Sequence, residues 1–392
     1  MTTTDVHALR FIDSDGHVIE TGTMVHEMAD HAPKGWRERI LESRGGGASS
    51  SPEYHEPSPD DDSSTRLINP MMRPGGHQSG PRVADMDSEG IDVSVLYPTF
   101  LLGVQALADV DLAEAQCQAY NNWLSDHVLE TPGRLWGAAV VPQQDIERAA
   151  GEIRRVAKLP GIKAAFIRPN PTADWKPFNH PIYDPIWATA SASGMPLGLH
   201  PFLAPDLPGA CLAFRLGEVS STTAEVQGAD PEATGNNAAT RLGNIFFTQA
   251  IANPFDMMNS LTFLLGGGVC ERYPDLKLVF LEANGGWIVP WLERLDHHYE
   301  VFDWDVPNLK MAPSEYFKRQ CWISFDTDES TLAHAANSPL VGADRIVWAS
   351  DYPHPDAKIP GVTDELRRSI ASLTDEQQAL IAGGSAVALY DL

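Results

Sequence analysis

Ile346-Val347-Trp348-Ala349-Ser350-Asp351-Tyr352-Pro353-His354 is the stretch that decides the fold. Its first residues read as a buried strand, and the strand runs out onto an ionisable carboxylate, which is where a barrel enzyme places its chemistry. Taken alone, an aspartate at a strand end is more often a turn former or helix cap. Three other stretches repeat the arrangement. Leu9-Arg10-Phe11-Ile12 leads into Asp13-Ser14-Asp15-Gly16-His17, where Asp15 and His17 are two apart and share one face of an extended chain. Met195-Pro196-Leu197-Gly198-Leu199 stops on His200, and Leu278-Val279-Phe280-Leu281 stops on Glu282. Four strands therefore deliver oxygen and imidazole donors at their carboxyl ends.

Outward from these, eight strand-like runs follow in order, at about 9–15, 91–97, 134–141, 161–168, 195–200, 277–283, 321–326 and 345–351. Most are continuously apolar, as strands covered on both faces must be. Between them lie helix patterns such as 112–129, 143–158, 181–193 and 286–300. Eight such repeats favour a closed (β/α)8 TIM barrel over an open sheet, and no Gly-x-Gly-x-x-Gly turn follows the first strand to mark a dinucleotide site. The expectation is a single barrel domain over 1–392 with long insertions after strands 1 and 5, at about 21–82 and 203–239. The first holds a Gly, Ser, Pro and Asp-rich stretch from Gly45 to Thr65, expected to be mobile. The second precedes a long helix pattern from Leu242 to Arg272. Both follow strands, so both are expected over the mouth of the barrel, as lids, surface decoration or subunit contacts.

Composition narrows the function. With 392 residues and 43% apolar side chains the chain buries a large core. Its 28 Lys and Arg against 53 Asp and Glu give a net charge of -25, which repels phosphate backbones and anionic membrane surfaces, so neither nucleic acid nor a membrane is an expected partner. The acidic balance can draw cations. Cys117, Cys211, Cys270 and Cys321 are widely spaced, with no Cys-x-x-Cys pair, and read as reduced core thiols. No signal segment precedes Leu9, and no apolar stretch reaches the roughly 18 residues of a membrane span. The chain reads as cytoplasmic.

At Ile12-Asp13-Ser14-Asp15-Gly16-His17, Met195 to His200, Phe280-Leu281-Glu282-Ala283-Asn284-Gly285-Gly286-Trp287 with Trp291 to Asp296 following, and Ala349-Ser350-Asp351-Tyr352-Pro353-His354, the chain resembles the amidohydrolase-related (amidohydrolase 2) group of metal-dependent barrel enzymes. That group includes aminocarboxymuconate semialdehyde decarboxylase and resorcylate-type decarboxylases. The resemblance covers most of the chain and rests on four motifs in the family's order. It implies a divalent ion held by Asp15, His17, His200 and Asp351. Two positions depart from the usual pattern: the first residue of the strand-1 pair is Asp15 rather than histidine, and strand 6 ends in Glu282 rather than histidine. Both changes harden the site toward oxygen ligands, so manganese or iron stands beside zinc. The strand-4 lysine that bridges two metals elsewhere is missing, since Lys163 lies early in its strand and Arg168 occupies the end. One metal is expected, with Glu282 able to recruit a second.

A divalent ion in such a set polarises a substrate oxygen and lowers the pKa of bound water. Asp351 is then a ligand and base, Glu282 a ligand or second proton carrier, and Arg168 an anchor for a substrate carboxylate through its planar fork. His354 is a catalytic candidate that could instead cap the following turn. Glu20 and Asn284 are weaker candidates, and Asp326 and Asp328 could rim the pocket. His297 and His298 read as surface or interface residues, and Trp287 with Trp291 as core. The leading expectation is hydrolysis of a small amide, ester or related carbon–nitrogen bond. Non-oxidative decarboxylation of an aromatic or unsaturated acid, an oxygenase with a dinuclear iron or manganese centre, and a non-catalytic subunit of a hetero-oligomer are the alternatives. The resemblance also implies at least a homodimer.

Overall fold

A computed structural model describes residues 9–20, 22–44, 53–172, 174–202, 209–216 and 245–392. Eight parallel strands close into a barrel in sequence order: β1 (Ile12–Val18), β2 (Val93–Pro98), β3 (Leu135–Val140), β4 (Ile162–Ile167), β5 (Leu197–Leu199), β6 (Leu278–Phe280), β7 (Cys321–Asp326) and β8 (Ile346–Ala349). The ring shuts where Asp13 of β1 pairs with Trp348 of β8. Every strand residue is buried except Trp136, Lys163 and Asp326, which are half-buried. That explains the continuous apolarity of the runs, since helices cover the outside of the sheet.

The helices follow from spacing and caps. Ile146–Val156 buries Ile146, Ala149, Ala150, Ile153 and Val156 on one face, and the Asp145 side chain accepts the Arg148 N–H at its start. Asp109 caps Val110–Leu129 in the same way. The expected helix at 242–272 is different: from residue 245 it comprises Ile245–Phe247, a wide turn at Thr248–Ala252, Asn253–Leu265 and Val269–Arg272. Gly266, Gly267 and Gly268 interrupt it, with Gly268 in the left-handed region at φ 76, because glycine is a poor helix former and a good helix stop.

The chain between β1 and β2 is largely helical, with Thr23–Asp30, Arg37–Ser43, Ser63–Ile68 and Ser79–Glu89. It docks on the carboxyl end of β1, where the Ile19 N–H donates to the Gly76 carbonyl at 2.8 Å. Residues 45–52 of its Gly and Ser-rich part lie outside the described residues, as do 203–208 and 217–244 of the second insertion. All four cysteines are buried and unpaired. Among the described residues no helix is long and apolar enough to cross a membrane.

Candidate metal centre

The site begins with an irregularity in β1. Pairing with β2 slips by one residue between Asp13 and Gly16, a bulge of the kind that re-aims side chains beside active sites. Gly16 permits it, because a Cβ there would lie 2.6 Å from Ser94 Oγ and 2.8 Å from Asp13 Oδ2. Below the bulge Asp13 accepts from Ser94 Oγ at 2.7 Å, Ser350 Oγ at 2.8 Å and Ser350 N at 2.9 Å, which fastens β1 to the end of β8.

Above it, five polar atoms converge. His17 Nε2 lies 3.5 Å from Asp15 Oδ1 and 3.2 Å from Asp351 Oδ1; His200 Nε2 lies 3.6 Å from Asp15 Oδ1 and 3.1 Å from Glu282 Oε2. Both imidazoles are oriented from behind, His17 Nδ1 by the Pro98 carbonyl and His200 Nδ1 by the Pro201 carbonyl, each at 2.8 Å. A carbonyl only accepts, so each Nδ1 carries its hydrogen and each Nε2 presents a lone pair to the carboxylates. Asp351 and Glu282 reach inward from left-handed backbone, at φ 54 and φ 46, a conformation that costs energy in non-glycine residues and concentrates at functional sites.

Asp15 Oδ1, His17 Nε2 and His200 Nε2 are buried and have no hydrogen-bond partner, and Asp351 Oδ1, also buried, is paired with His354 Nδ1 at 2.8 Å. Lone pairs facing lone pairs in a dry pocket are unfavourable. A proton on His200 relieves part of the conflict: burial works against its charge, but Asp15 and Glu282 outweigh burial and raise its pKa to about 9. Asp15, His17 and His200 form one group within metal-ligand reach, and His17, Asp351 and His354 a second; imidazoles with carboxylates are a chemically suitable donor set for a divalent cation. The residues therefore fit a metal ion.

His354 belongs to the same cluster. Its Nδ1 is 2.8 Å from Asp351 Oδ1, its Nε2 is 3.0 Å from Thr99 Oγ1, and its ring stacks on His17 at 4.0 Å. Burial opposes its charge, yet Asp351 raises its pKa to about 9. Asp351 is held below the usual carboxylate range, because His354 outweighs burial. His17 is pushed well below the ordinary histidine value by burial and by His354. Glu282 goes the other way: burial, with Asp351 adding to it against His200, raises it to about 8.

The remaining candidates separate. Arg168 sits at the end of β4 as expected, but its guanidinium is fully buried and already used, donating to the Asn170 side chain and to the carbonyls of Phe202 at 2.6 Å and Leu102 at 3.4 Å. Its fork is turned into the backbone and does not line the pocket. Glu20 accepts the N–H groups of Thr99, Phe100 and Leu101, a capping role. Lys163 donates to the Asp391 carbonyl, far from the donors. His297 and His298 are exposed, and the two tryptophans pack against the core. Asn284 and Asp326 do reach the pocket, bonded to each other at 2.7 Å, and burial together with Glu329 raises Asp326 to about 7.

Three residues at the site carry no signal in the sequence. Asp356 and Lys358 line the pocket from the loop after β8, and loop charges are too common to single out. Arg82, in the helix Ser79–Glu89, lies behind β1 and β8 and reads in the sequence as an ordinary helix-surface charge. A buried arginine in a helix beside a motif-bearing strand would have been the only pointer.

The chain has relatives among known proteins. The chain is 27% identical over 319 residues to gamma-resorcylate decarboxylase of a Polaromonas species, covering 79% of this chain and 86% of that protein. It is 23% identical over 320 residues to 2-amino-3-carboxymuconate-6-semialdehyde decarboxylase of Dictyostelium discoideum, covering 79% and 76%. The fold is shared with 5-carboxyvanillate decarboxylase of Novosphingobium aromaticivorans, solved with manganese and 4-hydroxy-3-methoxy-5-nitrobenzoic acid, at 22% identity and a TM-score of 0.65 over the whole of both chains. The amidohydrolase family profile Amidohydro_2 matches residues 12–392, a span that includes Asp15, His17, His200 and Asp351, and the chain belongs to this family, as an enzyme of the amidohydrolase superfamily.

Proposed function

We propose that this enzyme is a divalent-metal-dependent, non-oxidative decarboxylase of a small aromatic or unsaturated carboxylic acid, with Asp15, His17, His200 and Asp351 as metal ligands and manganese as the metal. The observation that carries the proposal is the convergence of the buried Asp15, His17, His200 and Asp351 donor atoms on one pocket that Glu282, whose pKa is raised to about 8 chiefly by burial, also lines. The similarity to two decarboxylases over most of the chain points the same way. The hard oxygen ligands favour manganese, the ion in the structural neighbour.

Hydrolysis fits less well. It needs Asp351 as a base toward water, yet Asp351 accepts from His354 and is held below the usual carboxylate range, which makes it a weak base. Decarboxylation needs an acid. In R–COO⁻ + H⁺ → R–H + CO2 the carbon–carbon bond breaks, its electron pair stays on the ring or alkene carbon, and a proton must arrive there. Glu282, with its pKa raised to about 8, holds that proton, and its carboxyl is 22% exposed to the pocket. A bound divalent ion supplies Lewis acidity that neutralises substrate oxygens in a pocket otherwise crowded with Asp15, Glu282, Asp326, Asp351 and Asp356. Asn284 donates to Asp326, which lines the same pocket as Glu282. The two possible ligand clusters share His17, which favours one metal over the dinuclear arrangement of an oxygenase.

Carbon dioxide release from a panel of hydroxybenzoates, beginning with γ-resorcylate and supplied with Mn²⁺, tests the proposal. Release of CO2 with one equivalent of the decarboxylated arene is expected. Hydrolysis of small esters or amides with no CO2 from any acid in the panel would return the site to water chemistry.

A further inference from the structure

Strand β1 and the turn that follows β8 are gripped by one side chain that reaches no proposed ligand atom, only backbone carbonyls. Arg82 is 2% exposed, and it reaches from the helix Ser79–Glu89 to donate through Nη2 to the His17 carbonyl and through Nη1 to the Tyr352 carbonyl at 3.2 Å. The Tyr352 carbonyl also accepts the His17 N–H at 2.8 Å, so the two strands and the arginine meet at one junction. His17 is a proposed ligand, and Tyr352 directly follows Asp351, whose backbone leaves the strand at φ 54. Releasing either carbonyl frees a ligand to move.

Burying a guanidinium without a hydrogen-bonded carboxylate is expensive, and Arg82 has none: Asp13 and Asp85 are charged neighbours only, and its Nε is buried with no partner. An apolar residue of similar volume would fill the space at lower cost. A planar fork holds two carbonyls at a fixed separation, which the freely rotating ammonium of a lysine holds less rigidly. The grip extends outward: the Arg82 guanidinium lies 4.4 Å over the Tyr352 ring, the Tyr352 hydroxyl donates to Asp85, and Arg73 donates to the other Asp85 oxygen at 3.2 Å and to the Tyr54 hydroxyl at 2.8 Å. The segment between β1 and β2 is thereby fastened to the β8 motif.

We infer that Arg82 is a positioning residue for the metal centre: it sets the spacing of His17 and Asp351, and through Tyr352 and Asp85 it makes metal affinity depend on docking of the 53–90 segment. This role rests on the reading of Asp15, His17, His200 and Asp351 as metal ligands.

The test is Mn²⁺ affinity of the full-length protein, measured by chelator competition, for the wild type, Arg82→Met, Arg82→Lys and Asp85→Asn. A residue that orients ligands from behind is expected to change affinity about 10- to 100-fold on removal. Arg82→Met should weaken Mn²⁺ binding by that factor, and Arg82→Lys should recover part of it. Ile370→Ala, a buried change in the helix Val362–Ile370 outside the site, supplies a destabilised control. Its melting temperature should fall while Mn²⁺ affinity stays at the wild-type value. Arg82 variants that bind Mn²⁺ no more weakly than that control would overturn the positioning role. If Arg82→Met does not fold, Arg82→Lys and Asp85→Asn carry the same comparison: weakened binding supports the role, and wild-type binding removes it. A wild-type protein that takes up no Mn²⁺ overturns the metal reading itself, a failure plainly distinct from the others.

Discussion

The two walls of the pocket are built on opposite charges. On the wall made by the ends of β1, β5 and β8, the polar atoms are buried, and Asp15 Oδ1, His17 Nε2 and His200 Nε2 lack hydrogen-bond partners; the backbone behind them is held by a cation, Arg82, gripping carbonyls. On the wall made by the ends of β6 and β7, Glu282 and Asp326 are partly open to the pocket, and the backbone is held by an anion. Glu329 accepts the N–H groups of Asp326, Gly285 and Gly286 at 2.9 to 3.0 Å. The first wall is complete only with a positive charge in front of it. The second tolerates protons, since Glu282 and Asp326 are raised to about 8 and about 7, chiefly by burial. One wall is suited to hold a metal and the other to move a proton.

The sharpest way to break that distinction is to remove one group from each wall. His200→Ala deletes a proposed ligand whose Nε2 lies within 3.6 Å of Asp15 and Glu282. The bound Mn²⁺ should fall from about one per chain to near zero and decarboxylation by at least ~10³-fold, because the Lewis acidity lost is worth several kcal/mol. Elemental analysis beside the rate measurement checks both. Glu282→Gln should behave differently: Mn²⁺ stays bound, KM changes little, and kcat falls about 10²-fold or more, the usual cost of a missing general acid. If Glu282→Gln empties the site as thoroughly as His200→Ala, Glu282 is a ligand and the two walls are one.

The strand-end residues of both walls, Glu282 among them, were legible in the sequence, and the groups that hold each wall from behind were not. Asp351, His200 and the Asp15–His17 pair each follow a short apolar run, so strand periodicity alone places them at the mouth, and β8 and β1 lie where the runs predict them. What periodicity cannot supply is the partner of each polar group. Arg168 ends its strand as expected, yet its fork is taken by the Phe202 and Leu102 carbonyls, which depend on how two loops fold back. Glu329, Asp356 and Lys358 are loop charges, and Arg82 sits on a helix where a surface charge is the ordinary reading. The long helix pattern at 242–272 failed for a local reason, since three consecutive glycines outweigh apolar spacing.

The smallest expected effect concerns stability rather than turnover, and it draws on both walls. In the metal-free protein Glu282 is raised to about 8, and His200 and His354 to about 9, from ordinary values of 4.5 and 6.5. Each binds a proton more tightly folded than unfolded. The stability each contributes is complete below its unfolded pKa and is lost as pH rises through its folded pKa. Between about pH 6.5 and 9 the three act in the same direction. The depressed values of His17 and His127 act below that window, where their unfolded forms take up protons. The melting temperature of the metal-free protein should therefore fall from pH 6.5 to pH 9. With saturating Mn²⁺ the cation replaces the proton on His200, and the slope should become shallower. Thermal scans at several pH values, with and without Mn²⁺, read both slopes. Parallel slopes would mean that the protons and the cation occupy different places, and the partnerless donors of β1 and β5 would need another explanation.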